Sequence, residues 1–517
     1  MKQTGPGAGG KRVSMRDKLL RTGMGFFLCF GLITAFNVIV LPFARECHGY
    51  AAVPMLLTLA AFLALMAAAF TRIGWADEAR LRRGLRFAEP AFLAALFLVQ
   101  VVLAYWMEYT PSGDNFMLYN GSMTLARDGC FDANPDFGLY LARFSNQWGF
   151  VLILTAIRKA LVFAGIENFF MPLAVIQALL YTAGMRAAAC TADMLGGTRA
   201  RVRTLVLTAC CLPLYLAASV LYTDTFSAPF VILTLFFALK TVRAQRGARQ
   251  LGLAALTGLT ALVGGQIKMT VFIVLIAAVI VFALSLRPAR AALCALLSLC
   301  IALGGTAAVH AYMLEGIIDP EVYAQQNTPA IHWVMMSIPT SDNPYGGISG
   351  DYGITWGMMD EGASHEEVMS SIYTRMKDRI YTLRYPNRLL LAMLRKNAAA
   401  MGDGTFGMTE MLDDDPVRPN ALSTVVLAAG EHFPLYSAVC TGIFMGDLVL
   451  ALLACLRGIR RRETGGAMAY IAMFGMMLFL MLWEARSRYL FCFVPVLLLL
   501  AGLCPPKGRK KEVRSDA

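Results

Sequence analysis

Two carboxylates and a few cations interrupt otherwise apolar sequence at places where they could do chemistry. Asp114 lies in residues 108–147, EYTPSGDNFMLYNGSMTLARDGCFDANPDFGLYLARFSNQ, the first long polar stretch of the chain. A carboxylate held there, partly stripped of water, has the chemistry of a general base. Asp224 sits in LYTDTFSAPF, Lys268 in GGQIKMT, and Glu484, Arg486 and Arg488 in WEARSRY, residues 483–489. Lysine and arginine suit an anionic group, and arginine contacts phosphate bidentately. Plainer readings stand beside these. Asp224 suits the cap of a helix start, with Pro229 just after it. Lys268 and the arginines could snorkel to lipid headgroups, with Trp483 and Tyr489 in an aromatic belt. Two arginines and a glutamate in so tight a turn favour an anion site over the belt.

The elements that must position these groups are membrane helices. The chain has 517 residues, of which 57% are hydrophobic and 15% charged; its mean hydropathy is +0.58. That balance excludes an ordinary soluble globular protein. Apolar runs of spanning length predict about twelve transmembrane helices, at 23–44, 50–70, 87–107, 169–195, 202–221, 225–242, 250–267, 270–286, 291–313, 434–456, 467–483 and 489–503. The fold class is therefore an all-α polytopic membrane protein, with a surface helix in the first active-site loop and a mixed extracytoplasmic domain in a late long loop. The basic N-terminus precedes a run too long for a signal-peptide core, so that run stays as the first span.

Formal net charge is +12, but its placement explains it without nucleic acid. Of 46 lysines and arginines, 29 fall before the first span, in alternate turns and in the tail. By the positive-inside rule both termini are cytoplasmic, and Asp114, Asp224, Lys268 and the 483–489 turn face outward. The assignment closes only if 148–165, which carries Arg158 and Lys159 mid-run, lies on the surface or re-enters rather than spanning. Just after Asp114, Phe116, Leu118, Tyr119, Met123 and Leu125 have helical spacing, predicting a short amphipathic helix on the bilayer surface.

Five regions follow: a basic cytoplasmic N-terminus, 1–22; a transmembrane core, 23–313, with its outer loop at 108–168; an extracytoplasmic domain, 314–433; C-terminal spans, 434–503; and a basic tail, 504–517. The 314–433 region holds 16 acids against 8 lysines and arginines. Within it, Ser364 followed by Glu367 reads as a capping box opening an amphipathic helix, and a second helix follows Pro386. Trp333, Tyr345, Tyr352 and Trp356 suit stacking on a sugar ring or form the domain's own core. The run LDDDP at 412–416 reads as solvated acids rather than a metal cluster. Twelve cysteines lie mostly inside spans, where they act as small hydrophobes, with no CxxC pair. Five histidines show no ligand spacing, so a protein-built zinc site is not expected.

Taken in order, GDNFMLYNGSMTLARDG, YLARFSNQWGFVLILTAIRKAL, LYTDT, GGQIKMT, TPAIHWVMMS and WEARSRY resemble the C-type-fold bacterial membrane glycosyltransferases, relatives of protein O-mannosyltransferases and lipid A aminoarabinose transferases. The resemblance covers about 87–503. It implies a polyprenyl-phosphate sugar donor, inversion at the anomeric carbon, and an acid of the first outer loop as catalytic base, which here is Asp114. Many relatives carry paired acids there, whereas Asn115 follows Asp114, and the aromatic-Arg-Tyr-Pro-Asn-like run of relatives lacks its proline at 140–146.

On this expectation Asp114 and Asp224 are catalytic, Lys268, Arg486, Arg488 and Arg143 bind the donor phosphate, and Glu484, Tyr119 and Trp333 serve the acceptor or the site. The acceptor is a glycan, lipid or protein. No cofactor is required, although a divalent ion shared by Asp114 and Asp224 suits the preference of hard cations for carboxylates. The location expected is the bacterial plasma membrane, multi-pass. Two alternatives use the same features: a lipid-linked glycan flippase or transporter, and a polymerase or ligase with a diphosphate-linked donor.

Overall fold

The computed structural model describes residues 14–132, 134–166, 168–412, 416–418 and 420–505. Asp413 to Asp415 of the acidic run, most of the basic tail and the first thirteen residues lie outside the described residues. All regular structure among the described residues is helical. Among the described residues, eight helices are long and apolar enough to cross a membrane: Met15–Val40, Ala52–Trp75, Glu78–Trp106, Phe170–Cys210, Thr223–Arg243, Gly247–Ile267, Pro288–Gly316 and Phe433–Arg461. Three shorter apolar helical stretches, Met269–Ser285, Ala467–Leu482 and Ser487–Gly502, join them. Rows of exposed Phe, Leu, Ile and Val on the outer helices, such as Phe26, Leu32, Phe36, Leu57 and Leu296, are the surface a hydrocarbon solvent would cover.

Phe170–Cys210 is two helices that meet at a kink at Gly197, where φ is +74°, so the predicted division between 169–195 and 202–221 is present, but the second helix keeps α winding only as far as Cys210. The chain then tightens into the 3-10 helix Leu212–Ser219. Gly197 allows the break because it has no Cβ to clash in the left-handed region. Pro213, lacking an N–H, sits at the start of the 3-10 segment, the position where that donor is least missed. Similar 3-10 turns, Met269–Val271 and Ser487–Phe493, open two of the shorter apolar stretches. These short spans begin at residues that build the site described below.

The centre of the bundle is Phe433–Arg461, with 72% of its apolar stretch buried against 17% for the peripheral Pro288–Gly316. Backbones approach closely at glycine. A Cβ on Gly442 would stand 2.7 Å from the Met55 carbonyl oxygen, and one on Gly258 would stand 2.7 Å from that of Ser298. Small residues at such crossings are how membrane helices gain packing contacts without a hydrophobic driving force. Toward the basic end of the bundle, the buried Glu89 accepts two bonds from Arg201, at 2.7 and 2.8 Å, tying two helices together.

The 314–433 segment is helical among its described residues, where a mixed domain was anticipated. Its principal helices are Asp351–Asp360, His365–Thr382 and Pro386–Met401. Ser364 and Glu367 form the anticipated capping box. The segment's own core contains Met335, Met359, Val368 and Ile372, beside Asp351 clamped by Arg375 and Arg379 at 3.2 and 2.7 Å.

Candidate active site

The site is assembled where helix starts and 3-10 turns converge. Asp114 lies in the first turn of Gly113–Asp128, so the amphipathic helix begins at the acid rather than after it. Gly113, with φ +52°, lets the chain turn from extended Ser112 into that helix. The Asp114 carboxylate receives two phenols, one on each oxygen. Tyr140 Oη donates to Oδ1 at 3.1 Å and Tyr222 Oη donates to Oδ2 at 3.0 Å. Tyr140 comes from the short helix Pro135–Arg143, and Tyr222 is the extended N-cap residue of Thr223–Arg243. Burial, and after it the negative charge of Asp114, pushes both phenols well above their ordinary range. They therefore stay protonated and keep donating.

Asp224 follows two residues after Tyr222, in the first turn of Thr223–Arg243, and makes no side-chain cap bond. Its buried carboxylate instead pairs with Lys268 through Oδ1 and lies 3.9 Å from Arg488 Nε through Oδ2. Lys268 points into the protein, not out to headgroups, because it occupies an extended break between Gly247–Ile267 and Met269–Val271. Two aromatic faces support the cations. Lys268 Nζ is 4.1 Å from the Tyr489 ring centroid, and the Arg488 guanidinium is 5.4 Å from Tyr222 and 5.3 Å from Tyr489. Lys268 and Arg488 with the Asp224 carboxylate make up this wall of the site, and the charge of Glu484 also reaches Arg488. Tyr222 links the walls, with its hydroxyl on Asp114 and its ring beneath Arg488.

Other expected participants lie at the edge. Buried Glu484 accepts from Tyr489 Oη at 2.8 Å and from Arg486 Nε at 3.0 Å, while Arg486 also reaches Glu410 at 3.2 Å. Arg486 is thus engaged by acids and does not join Lys268 and Arg488 on Asp224. Arg143 is also apart from that pair. It binds Gln326 at 3.0 and 3.1 Å, pairs with Asp360 and lies over Trp356. Tyr119 turns to Phe169, at 5.0 Å between centroids, with Arg158 on the opposite partner at 4.6 Å. Trp333 packs against Phe144 in a tilted pair, 5.8 Å between centroids.

Asp403 was absent from the sequence expectations and holds the 483–489 turn in place. It accepts from the backbone of Thr405 and Gly407 at 2.8 Å and from Ser487 Oγ at 3.0 Å. A tight D-G-T-F-G turn was the only visible signal. Asp114 and Asp224, the carboxylates that could have shared a divalent ion, point to different partners: two phenols for the first and two cations for the second. No group of three metal-type side chains occurs among the described residues.

The fold and the site together define a polytopic helical membrane protein whose polar chemistry gathers at one end of the bundle. Residues 48–508 match the family model described as conserved hypothetical integral membrane protein, and the chain belongs to that family. No curated protein matches the chain. Among solved structures, similarity is found to ArnT from Cupriavidus metallidurans in the apo state, at 15% identity and a TM-score of 0.34. The same protein bound to undecaprenyl phosphate gives 14% and 0.33, each comparison covering 80% of this chain and 77% of the other.

Proposed function

We propose that this protein is an inverting glycosyltransferase that moves a sugar from a polyprenyl-phosphate donor to an extracytoplasmic acceptor at the bacterial plasma membrane. The observation that carries the reading is the shared use of Tyr222, which joins a positioned carboxylate to a cation pair. Asp114, oriented by two phenols, takes the proton of the acceptor hydroxyl. The acceptor oxygen attacks the anomeric carbon from the face opposite the phosphate. The bond between that carbon and the phosphate oxygen breaks, and its electron pair leaves with polyprenyl phosphate.

Lys268 and Arg488 meet the negative charge that grows on the leaving oxygen. Asp224 is their counterion and positioning group, not a second base. The cations supply the charge stabilisation that a divalent ion supplies elsewhere, so no metal is assigned. Helices with lipid-facing rows leave room for the polyprenyl tail. The lysine and arginine bias toward the opposite side supports an extracytoplasmic site with both termini in the cytoplasm.

The test uses purified protein with radiolabelled polyprenyl-phosphate hexoses or pentoses and a cell-envelope extract. Wild type should consume one donor. Asp114→Asn should bind that donor with wild-type affinity yet lower kcat by about 10²- to 10⁴-fold. Undiminished turnover in Asp114→Asn would remove the carboxylate from the mechanism.

A further inference from the structure

A second set of side chains runs from Asp114 to the 314–433 segment. Tyr140, which donates to Oδ1, has its ring 4.7 Å from Phe144. Phe144 lies 5.8 Å from Trp333 at an interplanar angle of 35°, and 5.6 Å from Trp356 at 86°. Tyr352 extends the row, 4.9 Å from Trp356. The rings come from two regions far apart in sequence, 140–144 and 333–356. All five are half-buried, so each keeps part of its surface free. Trp356 packs on the core of the 314–433 segment and Tyr140 on that of the bundle, and neither ring is fully covered.

The rim of the row is polar. Arg143 pairs with Asp360 and bonds Gln326, and the Trp356 indole donates to Thr328 Oγ1 at 3.1 Å. Asn146 stands exposed beside the 3-10 turn Ser145–Gln147.

We infer that Phe144, Trp333 and Trp356, continued by Tyr140 to Asp114, form the acceptor subsite and that the acceptor is a carbohydrate. This rests on the glycosyltransferase reading and names its second substrate. The negative face of an aromatic ring attracts the C–H-bearing face of a pyranose, which offers a flat apolar side and an edge of hydroxyls. A sugar stacked on Trp333 and Phe144 would turn that edge to Arg143, Asp360 and Gln326 on one side and to Asp114 on the other. Apolar walls with a few convergent polar groups are the usual make-up of such a site. The acceptor then reaches one oxygen of Asp114 along Tyr140, while Tyr222 on the other oxygen leads to Arg488.

The experiment follows label from the polyprenyl-phosphate sugar consumed by the purified full-length protein into an envelope extract. Products are divided into water-soluble glycan, glycolipid and protein. Label in either carbohydrate fraction supports the inference, and the fraction itself separates a free glycan from a lipid-borne headgroup. Trp333→Ala should raise the acceptor KM at least ten-fold more than the donor KM, and Trp333→Tyr should return it to within about three-fold of wild type. Label on protein hydroxyls, or an acceptor KM unmoved by Trp333→Ala while Asp114→Asn still abolishes transfer, overturns the acceptor assignment alone. Absence of donor consumption by wild type would overturn the glycosyltransferase reading, and this inference with it.

Discussion

Tyr222 donates its hydroxyl to Asp114 at 3.0 Å while its ring lies 5.4 Å from the Arg488 guanidinium, so one side chain positions both the proposed base and a proposed phosphate-side cation. The two roles separate by substitution. Tyr222→Phe keeps the ring and deletes the donor. A hydrogen bond to a charged group contributes about 1.5–3 kcal/mol, so kcat should fall roughly 10- to 100-fold with donor KM nearly constant. Tyr222→Leu removes the ring as well and should also raise donor KM. Steady-state kinetics on the two variants decide the matter, and an unaltered kcat in Tyr222→Phe would show that Asp114 does not depend on this bond.

Asp224 and Lys268 form the buried pair at the centre of the cation wall. Removing the partner of a buried charge leaves that charge uncompensated, which costs about 3–5 kcal/mol. Asp224→Asn strips the carboxylate from both Lys268 and Arg488, whereas Lys268→Met leaves Arg488 facing Asp224 at 3.9 Å. Asp224→Asn should therefore lower the unfolding temperature of the detergent-purified protein more than Lys268→Met does, and equal losses would mean that Arg488 does not share the charge balance. Both variants should bind donor more weakly than wild type if this wall seats the phosphate.

If Lys268 and Arg488 take the leaving-group charge, as proposed, transfer should survive chelation. Treatment with EDTA followed by gel filtration is expected to leave kcat within two-fold of the untreated protein. A loss restored by magnesium or manganese would transfer the charge-stabilising role from these side chains to an ion.

Much of the helical framework was readable because membrane spans and caps are local patterns. A run of apolar residues and the Ser364–Glu367 spacing carry their meaning within a few residues. The site was readable only by residue type. Asp114, Asp224, Lys268 and Arg488 stand out as polar groups in apolar surroundings, but the pairing of Asp224 with Lys268 spans 44 residues and that of Arg143 with Asp360 spans 217. Arg143 and Arg486 have the right charge for phosphate, yet acids brought from elsewhere in the chain occupy them. Tyr222 is indistinguishable in sequence from an aromatic at a membrane interface. Within the predicted span 202–221 the change from α to 3-10 winding after Cys210 was not legible, because hydropathy does not distinguish the two.

Gly404 tests whether the Asp403 turn supports the site. A Cβ there would fall 2.3 Å from the backbone of Cys440, a contact no flexible side chain can relieve. Gly404→Ala should force the turn off Phe433–Arg461 and destabilise the protein by about 1–3 kcal/mol, the usual cost of overpacking. Asp403→Asn, which leaves the space unchanged and weakens the bonds to Thr405, Gly407 and Ser487, should reduce donor affinity through the 483–489 turn with a smaller loss of stability. Thermal unfolding and donor binding measured on the same samples separate the two effects.

Lys396 lies beneath the same turn and supplies a pH signature. It is 1% exposed, and its Nζ donates to the Ser337 carbonyl at 2.6 Å. Ser337 Oγ in turn bonds the Leu482 carbonyl at 3.1 Å, at the entrance to the turn. Burial pushes the amine down from its ordinary 10.5 to about 7, with the charge of Glu484 working in the opposite direction. Between pH 7 and 10.5 the unfolded chain therefore holds a proton that the folded protein does not. Stability from this group rises with pH across that window, by up to about 1.4 kcal/mol per unit. Lys396→Met carries no such proton. The unfolding temperature of the variant minus that of wild type should fall steadily from pH 7 to pH 9.5. A difference that does not vary with pH would mean that the ammonium stays charged inside the fold and that Lys396 acts there as a fixed cation.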